Sequence, residues 1–150
     1  IKADLVDGLI SGDGLQGDLY LEIVDGDIRL NQLRGAIIAS AVDGQINVSG
    51  DMKGLELQSV DGRIRVNISP GSTMAKDWKI RTVDGDVEVT LPADFSADLG
   101  VQTSDGHIET DFPLAVTKGI THKKLSGKLG SGDFLFSIRT TDGDVSLRKR

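Results

Sequence analysis

Apolar and polar residues alternate along this chain in short runs separated by glycine turns, as in LYLEIVDGDIRLN. Cutting the sequence every nine residues from Val6 to Ile68 places glycine third in six of seven units, with Ile or Leu always fifth and an apolar residue usually seventh. Alternation with a period of two is typical of a half-buried strand. Each unit therefore predicts one turn and one strand, with places one, five and seven in the core.

Val-Asp-Gly opens every second unit, so the full period is two units and contains two strands. Self-similarity near this length is typical of stacked repeats, and we predict an all-β solenoid with coils of about 18 residues and two strands per coil. We expect a single β-repeat domain over residues 1–150, regular over 1–68 and looser over 69–150. In the looser part, SPGSTMAKDW, PADFSAD and the stretch from Pro113 to about Gly132 are predicted to be loops inserted in the stack.

Asp-Gly between alternating apolar residues is also the strongest short signal for a β-hairpin. In a two-residue Asp25-Gly26 hairpin, Val24 would be exposed on the polar face, together with its counterparts in the other repeats. A corner could bury this valine instead, and a solenoid also explains why alternate turns lack hairpin residues. We therefore favour the solenoid over an antiparallel meander or sandwich.

The repeated turns are interpreted as structural. In each we expect valine to be buried at the corner, aspartate to bond its own turn backbone and glycine to permit the bend. The turn residues are Asp25, Gly26, Asp43, Gly44, Asp61, Gly62, Asp84, Gly85, Asp105, Gly106, Asp142 and Gly143.

A ladder of aspartates suggests calcium, but calcium-binding β-rolls supply several oxygens per turn from glycine-rich repeats, whereas this unit offers one Gly and one Asp. The two histidines lack metal-ligand spacing and the chain has no cysteine. We accordingly expect no metal, no cofactor and no catalytic residue.

One acidic group could bind a cation or a sugar. Stacking DGDVEVT on DGHIETD would gather Asp84, Asp86, Glu88, Asp105, His107, Glu109 and Asp111. Glu88 and Glu109 would then lie one strand spacing apart, near the separation of about 5 Å in retaining glycosidases. The alternative is a solvated charged face, in which Arg63 pairs with Asp86 and Arg65 with Glu88.

Composition narrows the possible partners. A formal charge of -6 argues against nucleic acid, because duplex binding needs clustered Lys and Arg. No apolar run approaches the roughly 20 residues that span a bilayer. The large aromatic residues lie in or beside the insertions and are predicted to pack loops onto the stack, with a sugar-stacking or partner surface as the alternative; they are Trp78, Phe95, Phe112, Phe134 and Phe136.

The closing segment LSGKLGSGDFLFSIRTTDGDVSLRK, from Leu125 to Lys149, resembles the end of the bacterial DUF4097 putative-adhesin family. The weaker resemblance of the other repeats extends over nearly the whole chain. It implies a β-solenoid, an exported or envelope-associated location and no catalytic residues. We therefore expect a non-catalytic, adhesin-like binding module or scaffold that presents loops to a cell-surface glycan or envelope protein, with a carbohydrate-active enzyme as the alternative.

Overall fold

The computed structural model describes residues 1–112, 116–118, 123–130, 132 and 134–149, and none of these residues lies in a helix. The twelve strands are β1 (Lys2–Asp13), β2 (Leu19–Asp43), β3 (Ile46–Asp61), β4 (Ile64–Ile68), β5 (Trp78–Asp84), β6 (Val87–Leu91), β7 (Ala97–Asp105), β8 (Ile108–Thr110), β9 (Val116–Lys118), β10 (Lys123–Leu129), β11 (Leu135–Asp142) and β12 (Val145–Lys149). The all-β prediction is confirmed.

Successive passes of the chain stack as layers, and each layer has two arms that meet at its Asp-Gly turn. Parallel partners in the regular part of the sequence are separated by two nine-residue units, as in Leu5↔Ile23, Ile28↔Ile46 and Ile46↔Ile64. We call the strand segment before each turn the first arm and the segment after it the second arm. Parallel pairing between layers excludes the alternative of a hairpin at every Asp-Gly turn.

The last layer, β11 with β12, does not lie at the end of the stack. β11 pairs in parallel with both β5 and β7, and β12 pairs in parallel with both β6 and β8. It is therefore inserted between the two layers that precede it in sequence. β10 pairs antiparallel with the free edge of β7, and β9 pairs with β10. The stretch from Pro113 to Gly132 is thus not simply a loop, although residues 113–115, 119–122 and 131 lie outside the described part of the chain.

The core lies between the two arms and is aliphatic in the first layers. Leu21 and Ile23 on one arm and Ile28 and Leu30 on the other belong to the same core cluster, and all four are at most 3% exposed. The ninth place of the second unit, Ile23, is therefore a core position that the sequence pattern did not identify.

The valine of the Val-Asp-Gly turn is exposed, which contradicts the prediction that it is buried at the corner. The exposed fractions are 72% for Val6, 49% for Val24, 47% for Val42, 49% for Val60 and 43% for Val83. The reason is a change of phase at the turn. Ile23 points inward, Val24 and Asp25 are both exposed, and the inward pattern resumes only at Ile28.

The turn glycines permit a close approach of the layers as well as a bend. Gly26 and Gly44 have φ of 140°, a region that side-chain-bearing residues rarely adopt. A Cβ added to Gly44 would overlap the carbonyl oxygen of Gly26 in the preceding layer, and a Cβ on Gly26 would overlap the carbonyl oxygen of Gly8. At these two turns the backbone requires glycine for the bend, and steric contact between layers is a second reason.

Two insertions have no strand, as predicted, but they bury their apolar side chains. Residues 69–77 bury Met74, and residues 92–96 bury Phe95. Phe95 and Phe136 pack on Trp78 with ring centroids 5.4 and 5.3 Å away. The indole Nε1 of Trp78 donates a hydrogen bond to the Lys53 carbonyl oxygen at 3.1 Å. These aromatic residues are plugs, as predicted.

Candidate functional site

The acidic group expected on the second arms is divided by the inserted last layer. β12 lies between β6 and β8, so Ser146 is the partner of both Glu88 and Glu109. The two glutamates are two strand spacings apart at the backbone, about 9.6 Å from the usual ~4.8 Å spacing. The expected adjacency of Glu88 and Glu109 is wrong. Their separation therefore does not match the distance between the two carboxylates of a retaining glycosidase.

Arginines neutralise this surface, as the alternative interpretation of the sequence predicted. Arg63 lies 3.7 Å from Asp86, and Arg65 lies 3.9 Å from Glu88. Glu109 lies 3.9 Å from Arg148 on the inserted strand β12. These pairs are half-exposed, so each contributes only a few tenths of a kcal/mol, up to about 1.

Two further members of the group have structural partners. His107 accepts a hydrogen bond at Nδ1 from Lys123 Nζ at 2.6 Å, and Asp111 accepts one from the Lys149 backbone N–H at 3.2 Å. No set of three His, Cys, Asp or Glu side chains in the described ranges has a geometry that could hold a metal ion.

The turn aspartates form an exposed file in the spatial order of the layers. Asp142 lies between Asp84 and Asp105, since β11 separates β5 from β7. The pKa of Asp142 is raised, first by desolvation and then by hydrogen-bonding and Coulombic interaction with Asp84 and Asp105. Like charges opposite one another on neighbouring strands are destabilising.

A second set of aspartates, one residue after the glycine, links the layers. Asp27 accepts a hydrogen bond from the Gln45 backbone N–H at 3.1 Å, Asp86 from Asp144 N–H at 2.9 Å, and Asp144 from His107 N–H at 2.8 Å. Within the described residues no backbone amide donates to a Val-Asp-Gly aspartate such as Asp43. The expectation that the turn aspartate bonds its own backbone is therefore wrong, and Asp-Gly-Asp is the motif that signals these bonds.

The exposed valines stack into a file on the outward surface of the first arms. Two residues earlier, each first arm carries another outward side chain. We call these two files together the valine face. The first file is Val6, Val24, Val42, Val60 and Val83; the second is Asp4, Glu22, Ser40, Gln58, Arg81, Arg139 and, on β7, Gln102. The sequence pattern contained this surface, but the period of nine assigned its valines to the core.

Charge on the valine face is segregated along the stack. Asp4 and Glu22 are register partners at one end, while Arg81 and Arg139 are register partners towards the other. Within the described part of the chain, neither arginine forms an ion pair. Shallow depressions lie along the valine face, one around Val6, Val24 and Val42 and another around Arg81, Val83 and Arg139.

The acidic end also includes Tyr20, whose hydroxyl interacts with its carboxylates. The hydroxyl donates a 2.7 Å hydrogen bond to Glu22. The pKa of Tyr20 is raised first by this bond, then by the Glu22 charge and desolvation, and further by the charges of Asp4 and Glu56.

The profile of the family described as Toastrack DUF4097 matches residues 50–148. The chain belongs to this family. A search of curated proteins finds no match. Among solved structures, this DUF4097 chain is similar to a "putative cell adhesion protein" from Clostridium sporogenes, with 13% sequence identity and a TM-score of 0.51. The alignment covers 89% of this chain and 56% of that structure, so this chain spans little more than half its length. At this identity the likeness shows the fold alone.

No helix in the described ranges is long and apolar enough to cross a membrane.

Proposed function

We propose that this DUF4097 chain is a non-catalytic, adhesin-like binding module or scaffold associated with the cell envelope. Its framework is a β-solenoid in which each coil consists of two nine-residue units and contributes two strands. Its contact surface is the valine face rather than the inserted loops. The observation that carries this proposal is the unbroken file of five exposed valines.

Each exposed valine is less favourable in water than when it is buried, so a partner that covers this file gains binding free energy. Burying a valine side chain completely contributes about 1.5–3 kcal/mol, so covering five half-exposed valines gives roughly 5 kcal/mol in total. Single exposed apolar residues are common on protein surfaces, but a contiguous apolar strip with a polar border is typical of an interaction site. Strand-borne side chains also present a rigid surface.

The described parts of the insertions support the valine face by elimination. Trp78 and Phe95, which could have stacked on a sugar, are 1% and 3% exposed and pack against the core. Phe112 is likewise buried. Phe134 is partly buried against the same core, so the aromatic residues in the described ranges leave little surface for a ligand.

Non-catalytic action is supported by the geometry of the acidic surface. Glu88 and Glu109 are separated by β12 and each is paired with an arginine. Family membership and the adhesion-type neighbour support a surface role, with a cell-surface glycan or an envelope protein as the partner.

A binding experiment on envelopes tests the proposal. Purified protein is co-sedimented with envelope fragments of the source organism, before and after protease treatment, and applied to a printed glycan array. The double variant Val24→Gln/Val42→Gln interrupts the apolar strip, while Leu9→Gln alters an exposed apolar residue on the second arm, where Leu9 is 52% exposed. We expect wild type and Leu9→Gln to bind and the double variant to lose at least about tenfold in affinity. Equal binding by all three, or binding by none to any surface, would overturn the proposal.

A further inference from the structure

The polar file of the valine face has a charge order that is self-complementary when it is reversed. From the first layer onward it is Asp4, Glu22, Ser40, Gln58, Arg81 and Arg139, and the seventh layer, on β7, adds the neutral Gln102. Two acids are followed by two neutral polar residues and then by two bases. Reversing the order of these first six layers and laying it on itself places each acid opposite a base, while Gln102 of the seventh layer lies beyond the overlap.

We propose that the valine face docks onto the same face of a second copy of this chain, in an isologous dimer. This rests on the proposed function, because it names the partner of the same surface. Isologous interfaces require a self-complementary patch, since each residue meets its counterpart across a two-fold axis.

The same two-fold axis that places opposite charges together also places valines opposite valines. A two-fold axis in the interface, parallel to the strands, reverses the order of the layers and preserves strand direction. Val24 then lies opposite Val83, and Val42 opposite Val60. Arg81 meets Glu22, and by the same operation Arg139 meets Asp4. An axis along the stack would instead place acid on acid.

The proposed dimer relieves repulsion within each chain. Arg81 and Arg139 are cross-strand partners of like charge, and so are Asp4 and Glu22. Asp4 has only a weak pair, with Lys2 at 4.0 Å, and within the described residues the two arginines have no ion pair. A second copy supplies the opposite charge to all four side chains at once.

The size of the surface predicts a weak dimer. The six overlapping layers at ~4.8 Å and a first arm of about 13 Å, widened by side chains, give roughly 600 Å² per copy. The total of about 1,200 Å² is at the lower limit for specific interfaces. The exposed aspartate files of both copies also lie along the same rim and repel. We therefore expect micromolar dissociation, with monomer at high dilution.

Charge reversal in both directions provides the test, by analytical ultracentrifugation over a range of concentrations. Variant one carries Arg81→Glu and Arg139→Glu, and variant two carries Asp4→Arg and Glu22→Arg. Each alone should dimerise at least tenfold more weakly than wild type, whereas an equimolar mixture should restore or exceed wild-type dimerisation. Arg34→Glu with Lys76→Glu makes the same change of net charge as variant one, away from the valine face, and should have no effect.

Several outcomes would overturn the inference. Wild type that stays monomeric at every concentration does so, as does a mixture that fails to recover dimerisation. If dextran sulfate binds the monomer and variant one loses that binding, the arginines form an anion site rather than half of a dimer interface. A monomer whose envelope binding still depends on Val24 and Val42 refutes the dimer alone and leaves the proposed function intact, whereas a dimer that binds no envelope refutes only the proposed function.

Discussion

Substitution of Gly44 by alanine tests whether the glycine file sets the distance between layers. Two costs add at this position. The backbone must hold alanine at a φ of 140°, which costs about 1–3 kcal/mol for a residue with a side chain. In addition, the new Cβ overlaps the Gly26 carbonyl oxygen, so the two layers must separate locally. Separation weakens inter-layer bonds such as Ile28 N–H to the Gln45 carbonyl oxygen at 2.8 Å, each contributing about 1 kcal/mol.

The control is Gly17→Ala, which isolates the backbone term. Gly17 also has positive φ, 106°, but a Cβ there would meet nothing within 4 Å. We expect Gly17→Ala to lower the free energy of unfolding by about 1–2 kcal/mol and Gly44→Ala by about 4 kcal/mol or more. Urea denaturation followed by the fluorescence of the buried, single tryptophan measures both. Equal losses in the two variants would refute the role of layer contact.

Three further predictions concern single side chains, each measured by urea denaturation. Thr82→Val should stabilise the protein by about 1 kcal/mol because it removes a buried hydroxyl without a hydrogen-bond partner. Thr103→Val should destabilise it by a similar amount because it removes a 3.0 Å hydrogen bond to a backbone carbonyl oxygen. A change of the same sign in both variants would contradict this explanation. Asp144→Ala should destabilise by about 1 kcal/mol, since it removes an inter-layer bond, while Asp43→Ala, a turn aspartate without one, should be neutral or slightly stabilising. Because the pKa of Asp142 is raised in the folded state, protonation of this carboxyl favours the fold. The stability that protonated Asp142 contributes is fully present below the unfolded pKa of 3.8 and is lost as pH rises through the folded pKa. Asp142→Asn should therefore be more stable than wild type at pH 7, with the difference vanishing below pH 3.8; a difference independent of pH would exclude this cause.

Ion pairs on the second arms show how far the regular register could be extended from sequence. Arg65 and Glu88 are farther apart in the chain than two nine-residue units. Aligning the turns of the two layers nevertheless predicted that they are neighbours, and the structure confirms this. Glu88 and Glu109 were aligned by the same rule, and there it failed. The rule assumes that layers stack in sequence order. The last layer instead pairs between the two layers before it, and this long-range pairing is not encoded in the local sequence pattern.

The exposed valines illustrate a second limit. A period of nine places Val24 in the same class as Leu33, since both open a unit. Leu33 is fully buried and Val24 is half-exposed. The two kinds of corner differ in backbone path, and only that path decides whether the first residue of a unit points inward or outward.

The sequence by itself determined the all-β class, the pairing offset of two units, the need for glycine at each turn and the plugging role of the aromatic residues. These properties follow from alternation, steric limits and apolar size, which are local. Tertiary structure decided the place of the last layer, the inter-layer bonds of Asp27, Asp86 and Asp144, and the assembly of the valine face. Each of these depends on which arm packs beside which, and residues as distant as Glu22 and Arg139 share a surface only after the layers have stacked.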